Sequence, residues 1–476
     1  MVYINGSFIE TDEVLEIRNP ANGQLVDKVY LVGKEETQQA IQAAKEAFPS
    51  WSSLTGEERG EYLHRVVELL TEKKEHFART ITQEMGKTIH NARYEVGSTI
   101  AYFKWYAEEA RRVYGEIIPA SSPNKRISVL KQPIGVVAAI TPWNFPLSMG
   151  ARKLGPALAV GCTVVLRPSR EAPLSSLELI KVIDEAGLPP GVVNLVMGSA
   201  SDIVGEVMAS EDVRKVSFTG STEVGKALIR QSADTVKRIS MELGGHAPFI
   251  VFEDADIDLA IAGTMSSKFA SSGQQCVCAN RVYVHNSIYD QFAQRFADQV
   301  ASMVIGNGLD EETQMGPMVS KDAVEKAHEH VVDAVTKGAT VLCGGKVLVE
   351  APYQNGYFYS PTVLTNVNQE MKITYEETFG PVAPIIRFTD ENEVIEKANR
   401  TIYGLASYVY TNDLSRAHRV SEKLEYGMVG VNDPAPFAVQ APFGGVKQSG
   451  LGREGGHYGL EDYLETKLVS FAIKSQ

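Results

Sequence analysis

Five short apolar runs, GVVAAI, CTVVLRP, GVVNLVMG, RKVSFTG and HAPFIVF, succeed one another from Gly135 onward, with segments of helical periodicity between them. Strands joined by helices pair in parallel with the helices on the sheet faces, so this alternation predicts a doubly wound α/β fold. A second α/β stretch runs from Asp254 to about Val431, with longer loops that carry Gly344, Gly345, Gly380 and Pro381. Upstream, residues 35–114 read as helices, because Leu63, Val66, Val67 and Leu70 recur at helical spacing between charged residues. The run PASSPNK, Pro119 to Lys125, marks a turn or linker. Near the end, TKLVSFAI has the texture of a strand whose free edge could join the sheet of another subunit. At 476 residues the chain exceeds what one core usually organises, which predicts two or three domains.

Charge narrows the function. A formal net charge of -13 argues against a sequence-independent binder of nucleic-acid backbone, which needs a basic face. A small anionic ligand at a local site remains compatible with it. No apolar stretch reaches the length of a membrane span, and MVYINGSFIE lacks the layout of a secretory leader, so a soluble cytoplasmic protein is expected. Four cysteines make no disulfide framework. The histidines show no metal-ligand spacing, so no metal is expected; His328 and His330, two apart on a helical stretch, read as part of a solvated face.

A few residues are placed for chemistry. Cys276, in FASSGQQCVCANRVYV, lies between a small-residue loop and an apolar run, and reads as a nucleophile or as a structural thiol. Cys162 and Cys343 sit in apolar stretches, where a thiol behaves as a small hydrophobe. VSFTGSTEVGKALI is strand, glycine turn and helix. Gly220 and Gly225 permit close approach there, and Ser221 with the free amides of the helix start either holds a phosphate or simply turns the chain. Arg167, Ser169 and Arg170 follow the strand CTVVL, where a doubly wound sheet opens on a ligand crevice; they are a solvated turn or a site for ribose or phosphate. Trp143 and Asn144 stand between the prolines of TPWNFP, and the asparagine is a turn residue or an oxyanion donor. Glu242 closes an apolar strand before Gly244 and Gly245, where a carboxylate is costly unless paired or hydrated, so it is a candidate general base. Glu377 and Phe379 occupy a Gly-Pro turn in EETFGPVAP.

Together TPWNFP, FTGSTEVG, MELGG, GQQCVCANR, EETFGPV and PFGGVKQSGLGREGG have the order and rough spacing found in the aldehyde dehydrogenase superfamily, and the chain resembles that superfamily from YINGSFI to its tail. The resemblance implies an NAD(P)-binding domain over 1–116 and 137–247 and a catalytic domain over 248–445. It also implies a small β oligomerisation arm and tail over 117–136 and 446–476, giving homodimers or homotetramers. By motif it implies Cys276 as nucleophile, Glu242 as general base, and Asn144 with the backbone N–H of Cys276 as oxyanion donors. Glu377 and Phe379 then hold the nicotinamide ribose and ring, and Trp143, Arg167, Ser169, Arg170, Gly220, Ser221, Gly225 and Leu243 fall at the cofactor.

Within the superfamily, CVCANR and GGVKQSGLGREGG look most like the succinic semialdehyde dehydrogenases. The implied reaction is NAD(P)+-dependent oxidation of succinic semialdehyde to succinate through a cysteine thiohemiacetal and thioester. Lactaldehyde, glycolaldehyde, sulfolactaldehyde or an aromatic aldehyde are alternative substrates, and a catalytically retired ligand-binding protein is the alternative from another class. Arg152, in ARKLG, matches one arginine that recognises the substrate carboxylate in those enzymes. Ala270 stands where a second arginine is usual, and Phe437 with Ala438 replaces a serine pair near the pocket. Arginine at 167 and 170, where many relatives carry lysine and NAD-preferring ones often glutamate, favours NADP over NAD. Cys278 is either a small residue facing away from Cys276 or its redox partner.

Overall fold

The computed structural model describes residues 1–474; residues 475 and 476 of the expected tail lie outside the described residues. Strands Val193–Leu195, Thr163–Arg167, Val136–Ile140, Val213–Thr219 and Arg238–Glu242 lie side by side in that order, all parallel. The chain winds outward from Val136–Ile140 to one side, crosses back, and winds to the other. The order therefore reverses beside Val136–Ile140, where doubly wound sheets open a crevice at the carboxyl ends of their strands.

One expected strand moves. HAPFIVF is not the fifth strand of this sheet: RISME, Arg238–Glu242, takes that place, and Ala247–Val251 belongs to a second sheet. RISME is charged at both ends and has only Ile239 and Met241 as apolar residues, which hides it beside the more apolar run that follows. At the sheet edges, Val2–Ile4 pairs antiparallel on one side and Gly450–Leu451 on the other.

The second sheet runs Thr340–Cys343, Thr362–Thr365, Val382–Phe388, Ala279–His285, Ala247–Val251, Ala406–Tyr410 and Met428–Val431, parallel except for the first pair. Its strands carry β-branched and aromatic residues that fill a buried pleat, with Phe249 stacked on Tyr410 at 4.7 Å. The N-terminal third is helical as its periodicity predicts: Lys34–Ser53, Gly56–Glu72, Lys74–Met85 and Ile89–Glu109. Leu63, Val66 and Leu70 face the core, and Thr55 caps the second helix with a reciprocal Glu58 box. The helix Ser148–Val160 is buried along its whole length although it carries Arg152 and Lys153, so both charges require partners.

A third, antiparallel sheet joins Glu116–Ile118, Lys125–Pro133 and Leu464–Ala472. The terminal strand thus finds one partner inside its own chain, and its other edge stays open. Exposed Ile117, Leu468 and Phe471 give this sheet an apolar surface. Among the described residues, no helix is long and apolar enough to cross a membrane.

The carboxyl ends of the first sheet meet the amino ends of the second. Glu242 ends a strand of the first; Cys276 lies three residues before Ala279 and Glu377 five before Val382 in the second. The motif loops scattered through the sequence converge on that seam.

Candidate active site

Cys276 follows an unusual turn. Ser271 and Ser272 both adopt left-handed backbone conformations, φ 51° and 58°, and Gly273 continues at 73°. Left-handed serines are costly and persist only where the surroundings over-determine them. Here they do: Ser272 Oγ donates to the Gly316 carbonyl at 2.8 Å, and Val319 N–H donates to Gln274 Oε1 at 3.0 Å. Tyr408 OH donates to the Val277 carbonyl at 2.7 Å. A Cβ on Gly245 would stand 2.1 Å from the Cys276 carbonyl oxygen, so only glycine lets the MELGG loop pass the nucleophile loop. The sequence suggested a small-residue loop before Cys276 but not its strain.

The thiol of Cys276 is pushed up to about 12, by burial first and then by the Glu377 carboxylate, with Arg152 pulling the other way. It rests as the thiol at neutral pH. Asn144 is buried with its amide donating to the Gln274 carbonyl at 3.0 Å, which brings the TPWNFP loop against the Cys276 loop across the seam. Glu242 is buried with Oε2 unpartnered. Burial, then Glu454, holds its carboxyl well above the ordinary carboxylate range, while Lys153 and Arg152 oppose them. Lys153 Nζ bridges Glu454 at 2.7 Å and Thr219 Oγ1 at 2.8 Å. Sequence reasoning missed this Lys153–Glu454 pair; its only trace was a lysine inside an otherwise apolar helix.

Cys276 and Arg152 share one cavity of about 780 Å³ with Tyr102, Ala270, Gln275 and Phe437. The Arg152 guanidinium lies over the rings of Phe443 and Tyr102, 4.2 and 5.0 Å from their centroids, and pairs with the Glu454 carboxylate at 3.8 Å. Its Nε and Nη1 have no hydrogen-bond partner. A buried cation with unused donors beside a thiol is prepared for an anion. Ala270 lines the same cavity without adding a charge, and Phe437 adds an aromatic wall edge-on to Phe443.

Toward the crevice of the first sheet, Glu377 is half-buried, accepts the Gly245 N–H at 3.0 Å, and is pushed up to about 7, chiefly by desolvation of its carboxyl group. Phe379 adopts φ 54° and meets Trp143 edge-on at 5.6 Å. Ser221 caps the helix Thr222–Ser232, whose first amides stand just beyond Gly220. Gly225 packs on Leu243, where a Cβ would come within 2.4 Å of that side chain. Arg167 is half-buried with Nε unpartnered, Ser169 bonds Glu171, and Arg170 is exposed. A guanidinium with an unpartnered Nε, a capped helix start and a desolvated carboxylate along one crevice fit a dinucleotide with its phosphates at the helix and a ribose at Glu377. His330, expected on a solvated face, is instead buried, its Nδ1 3.1 Å from Thr378 Oγ1, because that side of its helix packs under the Glu377 turn. Cys278 is buried with its sulfur 3.3 Å from Lys268 Nζ.

The Aldehyde dehydrogenase family model matches residues 8–469. The chain belongs to the aldehyde dehydrogenase family. It is accordingly an NAD(P)-dependent oxidoreductase acting on aldehydes, as the motif order predicts. This aldehyde dehydrogenase is 50% identical to a glutarate-semialdehyde dehydrogenase of Pseudomonas putida, over 99% of this chain and 97% of the relative. It is 48% identical to the succinate-semialdehyde dehydrogenase [NADP(+)] of Escherichia coli, over 99% and 97%. A crystal structure of an Escherichia coli NADP-dependent enzyme superposes with a TM-score of 0.97 at 48% identity, covering 99% of this chain and 98% of that one.

Proposed function

We propose that this aldehyde dehydrogenase oxidises a short aldehyde bearing a second, anionic group, succinic semialdehyde foremost, and prefers NADP to NAD. The observation that carries the reading is Arg152, a buried cation with unpartnered donors in the same cavity as Cys276. Its guanidinium holds the distal carboxylate, and the Phe443 and Tyr102 faces keep it in place. Cys276 gives its thiol proton to water and attacks the aldehyde carbon as the thiolate: the C–S bond forms, and the carbonyl electron pair moves to oxygen. Asn144 and the backbone N–H of Cys276 receive that oxyanion. The chemistry a bound dinucleotide supplies is acceptance of a hydride from this carbon. Glu242 then removes a proton from water, whose oxygen attacks the thioester carbon; the C–S bond breaks, the acid departs, and the sulfur is free again. Residues 1–116 and 137–247 form the cofactor domain of this reading and 248–445 its catalytic domain. The open-edged small sheet serves a homo-oligomer.

A second reading rests on Ala270. Ala270 supplies no second guanidinium beside Arg152, and Arg93 at the same cavity is paired with Glu75 and Glu311, so a longer or differently shaped anion is accommodated; a relative of similar identity is named for glutarate semialdehyde. Initial rates of NAD(P)H formation at 340 nm with succinic semialdehyde, glutaric semialdehyde, 3-sulfolactaldehyde, lactaldehyde and benzaldehyde decide between them. A best kcat/KM with benzaldehyde or lactaldehyde would refute the anionic-substrate proposal.

Two variants extend the test. Arg152→Leu should lower kcat/KM for succinic semialdehyde roughly 10- to 150-fold, the loss of one charge-assisted bond of about 1.5 to 3 kcal/mol. Butanal, with no carboxylate, should be nearly unaffected; equal losses for both would remove Arg152 from substrate recognition. For the cofactor, Arg167 and Arg170 support NADP because a guanidinium favours a 2′-phosphate that a glutamate would repel. Arg170→Glu should cut kcat/KM for NADP about 10- to 100-fold and spare NAD. A native enzyme that strongly prefers NAD would contradict the cofactor assignment.

A further inference from the structure

Beneath the loop that carries Asn144 lies an ion pair that the reaction as described does not use. Lys87 and Glu95 are both fully buried, with Nζ to Oε2 at 2.7 Å. Lys87 Nζ also donates to the backbone carbonyl of Asn144 at 2.7 Å, and it lies 3.8 Å from the Phe145 ring centroid. The second oxygen of Glu95 accepts the N–H groups of Leu147 and Ser148, at 2.9 and 3.1 Å. These are among the first amides of the buried helix Ser148–Val160, whose N-cap residue Leu147 offers no side-chain cap. A carboxylate there satisfies orphan donors and complements the helix dipole.

We propose that Lys87 and Glu95 are positioning residues that clamp the Asn144 backbone so that its amide meets the developing oxyanion. Cation and anion grip the same loop at two successive points: Lys87 at the Asn144 carbonyl, Glu95 at the amides three and four residues on. With the backbone held at both points, the Asn144 side chain is left to rotate about its own χ angles. One of its amide hydrogens is spent on the Gln274 carbonyl, leaving the other for an oxygen on the Cys276 adduct. An oxyanion donor is effective only if its geometry is set before reaction, and two isolated buried charges would be costly here without that mutual pairing. The segment that carries Lys87 is tied to the other half of the molecule, since two residues on the Ile89 N–H donates to the Gly308 carbonyl at 2.7 Å. The clamp therefore ties the Asn144 loop to the body that carries Cys276.

The inference rests on the reading of Asn144 as oxyanion donor, and the test separates the two. Single-turnover NADPH formation is measured at saturating aldehyde and NADP for the native enzyme, Asn144→Ala, Lys87→Met and the double variant. Lys87→Met should slow hydride transfer about 10- to 100-fold with KM changed less than about 3-fold, and should cause no further loss on top of Asn144→Ala. An unchanged rate in Lys87→Met, or the same fold-loss in both backgrounds, overturns the clamp. A slow Asn144→Ala with additive Lys87→Met removes the clamp alone, whereas an unaltered Asn144→Ala removes the donor and the clamp together. Should Lys87→Met fail to fold, Glu95→Gln, which keeps an acceptor for Leu147 and Ser148, takes its place in the same cycle, and the same rate comparisons support or overturn the clamp.

Discussion

Cys276→Ala should abolish aldehyde-dependent NAD(P)H formation, with a loss of roughly 10⁴-fold or more, because in the proposed mechanism it removes the covalent nucleophile and leaves only binding and electrostatic assistance. Folding should be unaffected, since the side chain is small and half-buried and its loop is held by Ser272, Gln274 and Tyr408. Cys276→Ala should therefore melt close to the native enzyme and still bind NADP. Turnover unchanged by the substitution would instead assign the chain to ligand binding rather than oxidation. The native rate should also climb with pH. Burial and Glu377 keep the thiol protonated, with its proton released only toward about 12, so the reactive thiolate fraction grows steadily from neutral into alkaline solution.

The other large effect belongs to Glu242. Glu242→Gln should leave the first hydride transfer nearly intact and slow release of the acid by about 10²- to 10⁴-fold, the range for loss of a general base. Rapid mixing should then show a burst of one NADPH per active site followed by a stalled phase, with the acyl group recoverable on Cys276. Absence of a burst, with every turnover slowed alike, would place Glu242 before the thioester rather than after it. The pH dependence has a definite sign. Burial and Glu454 raise the Glu242 carboxyl well above its ordinary range, and the base works only when deprotonated. Deacylation should accelerate as pH rises above neutrality, and the residual hydrolysis in Glu242→Gln should lose that rise.

Much of the site was legible because the reacting groups are declared by residue type next to local turn chemistry. Glu242 ends an apolar run and Asn144 follows one, where a doubly wound sheet leaves side chains free, while Cys276 and Glu377 each precede one beside small or turn-forming residues. What supports them was not legible. Lys153 meets Glu454 across 301 residues, and Asn144 meets Gln274 across 130. No pattern along the chain pairs residues so far apart, and a lysine in an apolar helix reads as an anomaly until its carboxylate is found. The strand RISME was overlooked for a related reason: its place in the first sheet depends on neighbours Val213–Thr219 and Gly450–Leu451 rather than on its own hydrophobicity.

The α/β architecture and the family are thus written along the chain, and the proposed reacting residues are read from it too, because all follow from periodicity and from short motifs whose parts are neighbours in it. The pairing of the charges and the acidity of the groups exist only in the folded molecule. Arg152 becomes a buried cation with unused donors, and the Cys276 thiol and Glu242 carboxyl become reluctant acids, only when packing removes water and fixes which charge stands beside which.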